Sequence, residues 1–71
     1  MNGKPEPKLG NRLKAERTRA GLTQAELAAR AGLSRKTVNT VENGVFLPST
    51  LVALRLAAAL DVTVEALFHL C

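Results

Sequence analysis

Apolar residues return along this chain at the spacing of short helices, and each run is opened by a hydroxyl residue or closed by a turn former. Leu9, Leu13 and Ala20 mark one face of a first helix over residues 9–19, with Asn11, Arg12, Glu16 and Arg19 on its polar remainder. Gly21 supplies a left-handed stop. Thr23 opens a second helix with the capping box TQAE, in which the Thr23 hydroxyl accepts from the Glu26 N–H and Glu26 reaches back to the Thr23 N–H. Leu22, before the cap, can staple onto Leu27, while Leu27, Ala28 and Ala31 form a narrow inner face that another helix can approach closely.

Gly32 ends that helix and Leu33 sits in the turn. Ser34 caps a third helix running to Glu42, with Val38 and Val41 facing inward and Asn43-Gly44 closing it. VFLP is a connector, because Pro48 disfavours a helical residue 47. Ser49 caps a fourth helix, TLVALRLAAAL, apolar nearly all round apart from Arg55 and ended by Asp61. Thr63 caps a short fifth helix, VEALFHL. With no internal repeat and no strand longer than a few residues, the pattern predicts an all-α domain of five short helices over residues 9–71. Residues 1–8, MNGKPEPK, read as a flexible arm.

Size and composition narrow the function classes. A chain of 71 residues has room for one domain, and at that size only about 60% of the unfolded surface is buried on folding. One cysteine and one histidine allow no internal disulfide and make neither Cys71 nor His69 a credible metal ligand, so no cofactor or metal is expected. The chain shows no paired acids in a pocket and no Cys–His pairing, and it is too small for a cleft, which argues against an enzyme. The longest apolar run, Leu56 to Leu60, is far short of the roughly 20 residues a membrane span needs, and no signal peptide is visible, so the expected location is cytoplasmic.

Charge adds a direction. Residues 1–36 hold nine of the ten Lys/Arg against three acids, about +6, whereas residues 37–71 hold Arg55 against Glu42, Asp61 and Glu65, or −2. A polyanion partner for the first half and packing duties for the second fit that asymmetry.

Two short helices joined by little more than Gly32 and Leu33, with small residues between them, form a helix-turn-helix over residues 23–43, whose second helix (34–42) is presented to a DNA major groove. Burial of Leu27, Ala28, Val38 and Val41 leaves Arg35, Lys36, Asn39 and Thr40 outward. Those types suit base edges: Arg or Lys to guanine, Asn to adenine, and Thr through its methyl or hydroxyl.

The stretch TQAELAARAGLSRKTVNTVENG, followed by PS, an apolar helix and DVTVEALF, resembles the Cro/C1-type (XRE-like) DNA-binding domain of phage repressors and small bacterial regulators over residues 9–70. The resemblance implies a compact five-helix, phage-repressor-like fold and sequence-specific binding to double-stranded DNA. It implies that Arg35, Lys36, Asn39 and Thr40 read bases, with Ser34 and Thr37 beside them. Gln24 is implied to open the second helix against the DNA backbone and to brace a recognition side chain, and Asn43 to approach phosphate. Arg17 and Glu42 fall where many members place a largely buried ion pair. The connector GVFLPS lacks the basic residues that some phage members carry there, which leaves its backbone N–H groups for phosphate.

The last segment holds more apolar surface than a small core absorbs. Leu54 and Leu67 are expected in the core, whereas Phe68, Leu70 and Val64 are expected to form a homodimer interface, so that two copies read a palindromic operator as a repressor. A fifth helix that folds back to cap a monomer is the plainer alternative. Two other binding functions use the same fold: a DNA-binding antitoxin that also grips a toxin, and an adaptor that contacts another protein partner. An arm without apolar anchors counts against the first, and the clustering of Arg35, Lys36 and Asn39 against the second.

Overall fold

Hydroxyl side chains set where most of the helices begin. In the computed structural model, which describes residues 8–71, the elements are β1 (Leu9–Asn11), α1 (Leu13–Arg19), α2 (Gln24–Ala31), α3 (Arg35–Glu42), α4 (Thr50–Leu60), α5 (Val64–Leu67) and β2 (Phe68–Leu70). Thr23 N–H donates to Glu26 Oε1 at 2.9 Å and Glu26 N–H donates to Thr23 Oγ1 at 3.0 Å, closing the capping box of α2. Ser34, Ser49 and Thr63 accept from the N–H groups of Thr37, Val52 and Ala66 in the same way. The Thr23 backbone N–H, helped by its hydroxyl and by Arg30, holds the Glu26 carboxyl below the usual glutamate range. That carboxylate therefore supports the helix fully above the ordinary range, and the support fades as the pH falls through the lowered folded value.

The fold is the expected all-α, five-helix one, with an addition at the chain ends. The segment expected to start the first helix is a strand: Leu9, Gly10 and Asn11 pair antiparallel with Leu70, His69 and Phe68. The helix at the other end accordingly stops at Leu67, and FHL leaves it as the partner strand. Lys8 is part of this closure, since its carbonyl accepts from Cys71 N–H at 2.8 Å, so the expected arm gives up its last residue to the domain. The remainder of that arm, residues 1–7, lies outside the described residues. Gly10 allows the pairing because a Cβ there would run into the His69 ring and come within 2.7 Å of Cys71 Sγ.

Leu13, Leu27, Val38, Val41, Leu56 and Leu67 are completely or almost completely buried, so every helix contributes to one core. Two expectations are corrected. Leu9, expected on the apolar face of the first helix, belongs to β1 and is 40% exposed, and Leu54, expected in the core, is 54% exposed because α4 turns Leu56, Ala57 and Leu60 inward instead. An all-apolar helix carries no polar stripe to reveal which side faces in.

Gly32 makes the sharp turn between α2 and α3. It lies at φ 69°, and Leu33 N–H reaches back to Ala28 O at 2.9 Å, a Schellman closure that satisfies a terminal carbonyl. A Cβ at Gly32 would meet nothing nearer than Arg55 Nη1 at 3.7 Å, so a larger residue meets backbone strain without a clash. Gly32→Ala is therefore expected to cost roughly 1–2 kcal/mol in urea denaturation, the cost of a left-handed L-residue, with the m-value unchanged.

Candidate nucleic-acid interface

One carboxylate lies where three helices meet. Glu42 ends α3, and its side chain is only 3% exposed. It accepts from Arg17 Nε of α1 at 2.6 Å and from Arg17 Nη2 at 3.2 Å, a two-pronged pair with a guanidinium 13% exposed. Hydrogen bonding to Glu42 raises the already high Arg17 pKa further. Arg17 also donates through Nη1 to Leu22 O at 2.8 Å, which ties the turn before α2 to the same group.

From Glu42 the network runs outward to the face of α3. Gln24, the first residue of α2, donates Nε2 to Glu42 Oε1 at 3.1 Å. A carboxylate can only accept, so Gln24 must turn its amide nitrogen inward and its oxygen outward. That oxygen accepts from Asn39 Nδ2 at 3.4 Å, and Asn39 Oδ1 in turn accepts from Asn43 Nδ2 at 3.3 Å. The buried charge thus sets the orientation of three amides in sequence. Asn39, exposed in the middle of this relay, keeps a second N–H and a second lone pair, the pair of functions an adenine edge takes up.

Arg35 and Lys36 are exposed in the first turn of α3 and join neither of the ion pairs among the described residues. Cations there oppose the helix dipole at a small cost, and they stand free for an anionic partner. Thr40 is half-buried, and its hydroxyl donates back to the Lys36 and Thr37 carbonyls at 3.0 and 3.1 Å. It therefore has an acceptor oxygen and a methyl to offer, rather than a donor. Ser34 and Thr37 lie 2.8 Å apart, hydroxyl to hydroxyl, at the N-terminus of the same helix. Arg19 is engaged with Glu16 on the surface.

Two features were not legible beforehand. Asn11, expected on the polar face of a helix, sits in β1 and clamps α1 to α3: its Nδ2 donates to Val41 O at 3.1 Å and its Oδ1 accepts from Leu13 N–H at 3.2 Å. It adds a second donor to a carbonyl at the end of α3, which Gly44 N–H also reaches, and serves an orphan amide at the start of α1. The connector differs too. The N–H groups of Asn43, Gly44, Val45 and Phe46 donate to Asn39 O, Val41 O, Thr40 O and Thr40 O, so these amides are spent within the domain rather than left for phosphate.

Removing Glu42 alone would strand a largely buried guanidinium and loosen Gln24. Glu42→Ala and Arg17→Ala are each expected to cost about 3–5 kcal/mol, where a surface pair would contribute at most about 1 kcal/mol. Urea denaturation is the measurement, with Glu42→Gln as the milder variant should alanine prevent folding. Unchanged stability in all three would refute the coupling.

Comparison with known proteins agrees with this geometry. The profile of the helix-turn-helix family matches residues 13–67. YgzD of Bacillus subtilis, an uncharacterised HTH-type transcriptional regulator, is 37% identical over 60 residues, covering 84% of this chain and 91% of that one. The ImmF control region 10 kDa protein of Bacillus phage phi105 is also 37% identical over 60 residues, covering 84% of this chain and 67% of its own. Among solved structures, the restriction-modification controller protein C.AhdI from Aeromonas hydrophila superposes with a TM-score of 0.75 at 42% identity, over 78% of this chain and 83% of that one. With its α2–turn–α3 core inside a family match that takes in all five helices, the chain belongs to the helix-turn-helix family of Cro/C1-type (XRE-like) transcriptional regulators, DNA-binding proteins rather than enzymes.

Proposed function

We propose that two copies of this chain bind a palindromic operator as a repressor, each laying α3 in a major groove with Arg35, Lys36, Asn39 and Thr40 at base edges. The observation that carries this reading is the braced polar face of α3, with Asn39 held by Gln24 and Gln24 by the buried Glu42. Ser34, Thr37, Gln24 and Asn43 flank that face and take the sugar–phosphate side. A protein that occupies its site excludes others from it, and repression needs no more than this.

Selection from a random duplex pool, followed by salt titration, tests the reading. A single motif with two-fold symmetry is expected, together with a salt slope reporting several displaced counterions. Arg35→Ala or Asn39→Ala is expected to cost roughly 1–3 kcal/mol on the selected site and much less on random DNA. Equal losses on both would move these residues to the phosphates, and a pool with no enriched motif would sink the specific-regulator reading.

The palindrome requires a dimer, because two recognition helices must face half-sites about 34 Å apart. Val64 and Phe68, half-buried in the monomer, line an apolar groove of about 550 Å³ with Leu9, Pro48, Ala53 and Leu54, and Leu70 is 72% exposed. A two-fold contact buries such a surface against its own copy. Leu54 therefore joins Val64, Phe68 and Leu70 in the proposed interface. Sedimentation equilibrium without DNA is expected to give a dimer, and Leu54→Lys a monomer with unchanged helicity, since a side chain already exposed tolerates charge in the free subunit. A parent chain still monomeric at high micromolar concentration would remove the preformed dimer.

A further inference from the structure

The connector after α3 carries three consecutive apolar residues on the surface: Val45 is 79% exposed, Phe46 43% and Leu47 71%. Such a run is a liability in a soluble domain unless something uses it. It is also held in place, because Val45 N–H and Phe46 N–H both donate to Thr40 O, at 3.0 and 3.2 Å. The two residues are thereby pinned to the last turn of α3. Between them and the helix lies a hollow of about 340 Å³, lined by Ser34, Lys36, Thr37, Thr40, Val45 and Phe46.

The chemistry of that hollow is selective. Ser34 and Thr37 share one hydroxyl–hydroxyl bond, which leaves one O–H proton between them, the Thr40 hydroxyl donates into its own helix, and the Val45 and Phe46 amides are spent. The lining that remains is mostly apolar, supplied chiefly by Val45 and Phe46, with Lys36 among the residues around it. Lys36 and Thr40 belong to the proposed base-reading set, so the hollow is continuous with that face. Among the base edges of the major groove, only thymine presents an apolar group, its 5-methyl.

We propose that this hollow receives the 5-methyl group of a thymine in each half-site, with Val45 and Phe46 as specificity-determining residues. The inference rests on the DNA-reading role of α3 and adds a contact from outside the helix-turn-helix. It also gives the connector a function other than holding phosphate, from which the Gly44, Val45 and Phe46 amides are already withdrawn.

The test replaces each thymine of the selected duplex, one at a time, by deoxyuridine, which lacks only that methyl. Binding of the parent chain is expected to weaken roughly fourfold at one thymine per half-site, the effect of one buried methyl group. A Val45→Ser/Phe46→Ser variant, altered only at exposed positions, should bind the thymine and uracil duplexes equally while still preferring the selected site over random DNA. Circular dichroism on the variant checks that it is folded. A selected half-site without thymine, or no uracil effect anywhere, overturns the proposal while leaving specific DNA binding intact. A uracil effect of the same size in parent and variant assigns the methyl to other residues and overturns it as well. If the parent enriches no duplex at all, the DNA-reading role fails first and this contact falls with it.

Discussion

A buried carboxylate that can only accept hydrogen bonds imposes order on whatever surrounds it. Glu42 draws the Arg17 guanidinium from α1 and the Gln24 amide from α2 while standing at the end of α3, so one side chain fixes three helices relative to each other. In a large protein such an anchor is one of many. Here the core is a handful of leucines, valines and alanines, and a small core leaves crossing angles weakly specified by packing alone. Directional bonds to a charged group supply what nonspecific apolar contact lacks. The same group then determines how the recognition face presents its amides, which links stability and reading through one residue.

Much of this was legible in the sequence because it is local. A cap is a hydroxyl three residues from an amide, and Thr23, Ser34, Ser49 and Thr63 stand at the helix starts where the chain alone puts them. The outward set on α3 follows from the spacing of Val38 and Val41, since what those two bury leaves the other face free. Nonlocal partners were harder. Leu9 and Leu13 have helical spacing, yet Leu9 pairs with Leu70, 61 positions on, and no periodicity within residues 9–19 reveals a strand whose partner is so distant. Asn11 and Leu54 were misread for related reasons. One acts through a carbonyl 30 residues away, and the other lies on a helix with no polar side to contradict either orientation.

The connector illustrates a different limit. From the sequence, its lack of cations left the backbone as its only phosphate ligand, and that inference was sound for an unfolded or extended segment. Folding reassigns part of that capacity: the Gly44, Val45 and Phe46 amides turn back onto carbonyls of α3. Hydrogen-bonding capacity counted from a sequence is gross capacity; what a surface can offer a ligand is what remains after the fold has used its share.

The short ribbon of Leu9–Asn11 with Phe68–Leu70 has a consequence for how the domain comes apart. Chain ends usually fray first, opening at almost no free-energy cost. Here the first and last elements of the described domain are zipped to each other, and Arg12 N–H adds a bond to Leu67 O at 2.7 Å just inside the zip. Joining residues so far apart closes nearly the largest loop the chain contains, and that entropy is recovered only when the helices between are already in place. The ribbon is thus a late contact in assembly and a coupled one in dissolution: opening it frees the segments flanking α1 and α5 together. Opening of one strand becomes an event shared by both, and a domain with little core to spare gains cooperativity from its edges.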